Sequence, residues 1–312
     1  MGAVGWVGRA VAVAALLVVG WAAVTGWGAI VHGFPLYGPL LVITAVAAVV
    51  ITLRQEAGDS NRRSRVRTIV RIGLLIMATA WVALMAWLRP LPAVEPALST
   101  LRSDDTVRVV ETPTQIVIMP VRTSDRTALF FQPGAKVDAR AYAAVLRPVA
   151  DAGHLVVIAK QPLGIAFLAT PVFGQVRDQH PEITRWVIGG HSLGGTVAAG
   201  QADDGDDHPV SPVTGLLLYA SYPAGDIRSS LSAQVLSISG SEDGLATPTK
   251  INASRPDLPE NTDFTVIDGA VHAFFGDYGA QRGDGVPRIG HDRAREQIST
   301  ATVDFVERLA AR

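Results

Sequence analysis

Residues 188–195 read Ile-Gly-Gly-His-Ser-Leu-Gly-Gly, and within them Gly190-His191-Ser192-Leu193-Gly194 forms a G-x-S-x-G pattern. Such a pattern suits a sharp strand-to-helix turn that lifts one serine hydroxyl clear of a sheet, with glycines where a Cβ would strike neighbouring backbone. The apolar run Arg185-Trp186-Val187-Ile188 suits a buried strand, and the small residues from Leu193 to Gln201 suit a helix. A serine hydroxyl is a weak nucleophile. It needs a base within hydrogen-bond reach, and the base needs an acceptor that fixes its tautomer and steadies its cation. Both residue types follow downstream: Ser239-Gly240-Ser241-Glu242-Asp243-Gly244 comes after the apolar run Val235–Ile238, and Asp268-Gly269-Ala270-Val271-His272 after Phe264–Ile267. We assign Ser192 as nucleophile, His272 as base and Asp243 as the acid that orients it. Glu242, Asp226 and Asp268 are the other acids considered; Asp226 lies one element too early, and Asp268 sits so close to His272 that it suits the turn.

The elements that must position these residues begin near Thr106. Val107–Val110 and Gln115–Ile118 read as paired strands, and short apolar runs at 128–131, 155–158, 186–188, 216–219, 235–238 and 264–267 as buried ones. Helices fit near Ala139–Ala152, Gly194–Gln201 and Arg293–Ala310. Alternation of this kind predicts an α/β fold: a mostly parallel sheet with helices on both faces and ligands outside the carboxyl ends of the strands.

Residues 106–311 resemble an α/β-hydrolase, in particular the compact group related to dienelactone hydrolases, alpha/beta hydrolase fold-5. Four separated stretches carry the resemblance: Phe131–Ala135, Gly189–Gly195, Gly240–Leu245 and Val271–Tyr278. The resemblance implies a serine hydrolase, carboxylesterase-like, acting on a small-molecule or lipid-like ester; thioester, lactone and amide bonds share the same tetrahedral chemistry and stay open as alternatives. It also implies an oxyanion hole made of the Leu193 amide and an amide of an early loop, here Ala135 with Gly134 as fallback. Pro133 stands where relatives often carry His, and it has no amide proton to donate. Only thirteen residues, Ser221 to Ala233, fill the place where related hydrolases commonly insert a cap, which implies an open site. The competing reading is a catalytically silent hydrolase-like module that binds at a membrane; activity toward short p-nitrophenyl esters separates the two.

Other features point to less. His191 reads as structural, and His154, His180, His208 and His291 as surface or helix-end residues without metal-ligand spacing. The run Asp203-Asp204-Gly205-Asp206-Asp207 lacks the calcium-loop pattern and reads as a solvated loop. Arg282-Gly283-Asp284 looks like an adhesion tripeptide but is too short to carry information, and Lys160 reads as a snorkelling surface lysine or a contact for an anionic substrate group. The chemistry requires no metal and no organic cofactor.

The chain has 312 residues, a formal charge of -1 and no cysteine. Disulfides, thiolate metal sites and cysteine nucleophiles are thereby excluded, and bulk attraction to nucleic acid is disfavoured. Excess apolar content lies in residues 1–88, read as a three-helix transmembrane segment with spans at Ala10–Val31, Leu36–Leu53 and Ile72–Leu88. The connector carries Arg54, Arg62, Arg63, Arg65, Arg67 and Arg71 against Glu56 and Asp59, which places it in the cytoplasm. The expectation is a multi-pass protein of a bacterial cell membrane whose domain at 106–312 is extracytoplasmic, joined by a stiff Pro-rich spacer at 89–105. Its partners are then the lipid bilayer and an ester substrate.

Overall fold

The computed structural model describes residues 3–54, 65–123 and 125–312. The chain divides into two compact units, Met1–Pro90 and Leu91–Arg312.

The first unit holds three helices: α1 (Ala3–His32), α2 (Tyr37–Arg54) and α3 (Arg65–Trp87). On α1, Ala15, Ala22 and Ala29 recur every seventh residue and are buried, a stripe of small side chains that lets a neighbouring helix approach. Large apolar side chains point outward instead, Leu17, Val24 and Ile69 among them. Val4–His32 and Thr68–Trp87 are long and apolar enough to cross a membrane, each with a mean hydropathy of 2.1. The apolar part of α2, Tyr37–Leu53, is shorter, so two of the three expected spans meet that length. Pro39 falls in the first turn of α2, where its missing amide costs no hydrogen bond. Within this unit the Tyr37 hydroxyl donates to the Met85 carbonyl (2.7 Å), and Trp81 Nε1 donates to Thr44 Oγ1 (2.9 Å). Residues 55–64, which carry Glu56, Asp59, Arg62 and Arg63 of the basic connector, lie outside the described residues.

The second unit is an eight-stranded sheet. After a short helix α4 (Ala97–Thr100) come β1 (Val107–Glu111), β2 (Gln115–Pro120), β3 (Thr127–Gln132), α5 (Ala143–Asp151), β4 (Leu155–Ala159), α6 (Val172–Gln179), β5 (Arg185–His191) and α7 (Leu193–Asp203). Then follow β6 (Val213–Tyr219), β7 (Gln234–Gly240), α8 (Pro248–Ala253), β8 (Asp263–Ile267) and α9 (His291–Ala310). The strand order is β1-β2-β4-β3-β5-β6-β7-β8. Only β2 runs antiparallel to its neighbours, and every pair from β4 to β8 is parallel.

Alternation along the strands builds two cores. On β3, Leu129 and Phe131 face one side with α5 and α9, while Ala128 and Phe130 face the other with α6 and α7. Both faces are covered, which is why these strands are apolar throughout rather than every second residue. All eight sequence runs lie within these strands; α4, α6 and α8, of four, eight and six residues, lie outside the three helical stretches expected from the sequence.

The Pro-rich stretch is not a free spacer. Leu91 donates to Lys136 O and accepts from Asp138 N, the Ala93 amide donates to Asp138 Oδ2, and the Val94 amide donates to Asp277 O. Leu91, Leu98 and Leu101 pack on the core beside buried Ala93 and Ala97. Apolar side chains between the prolines supply the burial that a spacer would lack.

Candidate active site

All parallel strands end at one edge of the sheet, and the assigned residues gather there. Ser192 follows β5, with φ 51° and ψ −124°. A non-glycine residue held at positive φ costs about 1–3 kcal/mol, and the surroundings must over-determine it. They do: the Ser192 amide donates to Tyr219 O (3.0 Å), Ser192 O accepts from Ser221 Oγ (2.6 Å), and the Gly195 and Thr196 amides also donate to it. A Cβ on Gly190 would lie 2.4 Å from the Gly194 carbonyl carbon, and one on Gly194 2.2 Å from Gln132 O. The two glycines of the motif are therefore steric necessities of the turn.

His272 opens a short 3-10 turn after β8, and its side chain is buried with that of Asp243. Nδ1 of His272 lies 2.9 Å from Asp243 Oδ2. The other carboxylate oxygen, Oδ1, accepts the Leu245 amide (2.7 Å) and the Ala246 amide (2.8 Å). A carboxylate here only accepts, so Nδ1 carries the proton and Nε2 keeps a free lone pair. The rival acids are elsewhere: Asp226 pairs with Arg228, Asp268 accepts from Ser241 Oγ, and Glu242 faces Arg288.

His191 was expected to be structural, and the structure shows how. Its ring is buried, and the ring centroid lies 4.5 Å from that of His272. The Gly134 amide donates to the Tyr142 hydroxyl (2.8 Å), which is also hydrogen-bonded to His191 Nδ1 (2.8 Å). Burial holds the Tyr142 phenol well above its ordinary value, and burial with the nearby His272 holds His191 well below its own. Both causes favour the neutral imidazole.

That network bears on the two early-loop amides. Gly134 N–H is already engaged by Tyr142, so the fallback donor is spent in this geometry. Among the described residues the amides of Ala135 and Leu193 have no acceptor, and both residues are partly exposed. Leu193 opens α7, so its N–H lies at the positive end of that helix and has no partner within it. The Ser192 hydroxyl likewise has no hydrogen-bond partner among the described residues. Tyr142→Phe strands both Gly134 N–H and His191 Nδ1 in a dry pocket. It is expected to cost about 1–3 kcal/mol in urea unfolding, and a loss of a few tenths would mean that neither group is left unpaired.

Several other readings change. His154 is buried beside Asp125 rather than at the surface, with Nδ1 to Oδ1 3.3 Å. Lys160 is neither a snorkelling side chain nor available to a substrate, because its buried Nζ donates to Glu111 Oε1 and Thr112 O, both at 2.7 Å. His180 and His291 do sit at helix ends, and His208 accepts the Ser211 amide. Asp277, next to the base's turn, binds Arg295 Nη1 at 2.6 Å, and burial pushes its carboxyl up to about 6 against that attraction. The acidic run 203–207 contributes one carboxylate, Asp206, to the Ser232 amide. No group of three or more His, Asp or Glu side chains fit to hold a metal occurs among the described residues.

A parallel sheet with a strained serine between strand and helix, and a histidine–aspartate pair at later strand ends, defines the α/β-hydrolase class of fold. A sequence model of the alpha/beta hydrolase family matches residues 128–296, and the chain belongs to that family. No curated protein sequence matches the chain. Among solved structures it is similar to an esterase from Pyrobaculum calidifontis (14% identity, 69% of this chain and 90% of that one, TM-score 0.49). It is also similar to an α/β serine hydrolase without a lid from Xanthomonas campestris (16%, 67% and 97%, 0.48) and to the esterase Est2 of Thermogutta terrifontis (13%, 66% and 95%, 0.46).

Proposed function

We propose that this chain is a membrane-anchored serine hydrolase that cleaves carboxylic esters through an acyl-enzyme. The observation that carries the reading is the buried His272–Asp243 hydrogen bond, which leaves His272 Nε2 as a base beside the turn that bears Ser192. Ser192 Oγ attacks the ester carbonyl carbon while Nε2 takes its proton, and the carbonyl oxygen becomes an oxyanion between the Leu193 and Ala135 amides. Collapse of the tetrahedral intermediate expels the alkoxide, which leaves as alcohol with the proton from Nε2. Water, deprotonated by the same nitrogen, then attacks the acyl-enzyme, and collapse releases the acid as Nε2 returns the proton to Ser192 Oγ. Asp243 stays ionised throughout and steadies the imidazolium. The Ser192–His272 hydrogen bond is not formed among the described residues, and the mechanism requires it to close as substrate binds, catalytic contacts often being long in the unliganded state.

Residues 220–233 between β6 and β7 contain no helix, consistent with a site without an inserted cap that would accept bulky or varied esters. In the membrane reading all three N-terminal helices span, the Arg54–Arg71 connector is cytoplasmic, and the hydrolase unit is extracytoplasmic. The test is covalent. A fluorophosphonate added to the full-length protein in detergent is expected to add one phosphonyl group, mapped to Ser192 by peptide mass. No adduct on folded protein, or an adduct elsewhere, removes the reading and leaves a binding module.

A further inference from the structure

The segment from Gly276 to Gly290, between the base's turn and α9, has no regular structure, yet one of its side chains is fully committed. Asp284 Oδ1 accepts the amides of Gly244 (3.1 Å), His272 (3.1 Å) and Gly285 (2.7 Å), and Oδ2 accepts that of Ala273 (2.8 Å). Two of these donors belong to the base's turn and one to the loop that carries the acid. The three amides after Asp243 are thereby divided: Gly244 goes to Asp284, and Leu245 and Ala246 go to Asp243 itself. Backbone packing is close as well. A Cβ on Gly285 would lie 1.7 Å from Glu242 O, and one on Gly244 2.7 Å from the Asp284 carbonyl carbon.

We propose that Asp284 is a positioning residue: its carboxylate joins the loop bearing Asp243 to the turn bearing His272 and so sets the Nδ1–Oδ2 hydrogen bond between them. It touches neither substrate nor reacting atoms. His272 is held twice, its backbone amide by Asp284 and its ring by Asp243, so the ring cannot drift from its acceptor while the loops stay joined. A carboxylate is required because all four partners are donors. Asparagine would turn its NH2 against at least one of them.

The catalytic consequence rests on the proposed hydrolase reading; the geometric claim does not. Full-length wild type, Asp284→Ala, Asp284→Asn and the exposed-loop control Asp226→Ala are compared in detergent with histidine labelled in nitrogen-15. The first readout is the low-field proton resonance of His272 Nδ1–H, assigned by its loss in His272→Ala; the second is kcat and KM for p-nitrophenyl acetate. Both Asp284 variants are expected to lose or broaden the resonance and to lower kcat about 100-fold with KM unchanged, as expected of a small displacement of a catalytic group. Asp226→Ala is expected to match wild type. An unchanged resonance in either folded Asp284 variant overturns the proposal even if the melting temperature falls, because a role in stability alone leaves the His272–Asp243 bond intact. Should alanine prevent folding, the near-isosteric asparagine variant decides. Should wild type hydrolyse nothing, the hydrolase reading fails while the resonance still decides the role of Asp284.

Discussion

Alanine at Ser192, and separately at His272, is expected to lower kcat for a short p-nitrophenyl ester by about 10⁶-fold, with the double variant no slower than either single one. In the proposed mechanism the two residues act as a unit. Without the hydroxyl the base has nothing to activate, and without Nε2 the hydroxyl keeps its proton at neutral pH. A residual rate about 10³-fold above that in water should survive all three variants, because the proposed oxyanion donors, the Leu193 and Ala135 amides, are unchanged. The Ser192 substitution is small structurally: its side chain makes no hydrogen bond among the described residues, and the backbone bonds that hold its φ of 51° are untouched by losing Oγ. Steady-state hydrolysis on folded, purified variants checks this. A single variant that keeps a hundredth of the wild-type rate, or losses that multiply in the double variant, would mean that the two side chains do not share one proton transfer.

What could be read from the sequence is what local sterics and periodicity impose. Gly190 and Gly194 announce the turn because a Cβ at either position would overlap backbone, a constraint contained within a few residues and the strand beside them. The strands show as apolar runs because both sheet faces are covered. Asp243 and His272 were assigned from chain order, each just beyond a strand, and the 2.9 Å contact between them fits that order. What stayed hidden depends on distant partners. Nothing near His154 foretells the Asp125 carboxylate that accompanies its burial, and Lys160 looks exposed until the β1–β2 hairpin brings Glu111 to it. What engages the Gly134 amide is one phenol eight residues along, whose partner His191 lies 49 residues further. Asp284 was hidden by its setting in an Arg-Gly-Asp triplet, since four backbone amides from three segments leave no trace in residue types.

Asp243→Asn is expected to lower kcat about 10⁴-fold while leaving the fold intact, and the neighbouring amides say why. The Leu245 and Ala246 N–H groups converge on Oδ1, so an asparagine here must place its carbonyl oxygen at that position to avoid meeting two donors with a third. Its NH2 then faces His272 Nδ1, which turns from donor to acceptor. The imidazole proton moves to Nε2, the nitrogen that should receive the serine proton, and the base is lost through its tautomer with the ring still in place. The carboxylate that would steady the imidazolium is also gone. Two measurements separate this from simple disruption: the nitrogen-15 shifts of His272 should report protonation at Nε2 in the variant and at Nδ1 in wild type, and KM should stay near the wild-type value. A variant with the wild-type tautomer and a rate within tenfold of wild type would place the orienting acid elsewhere and remove Asp243 from the mechanism.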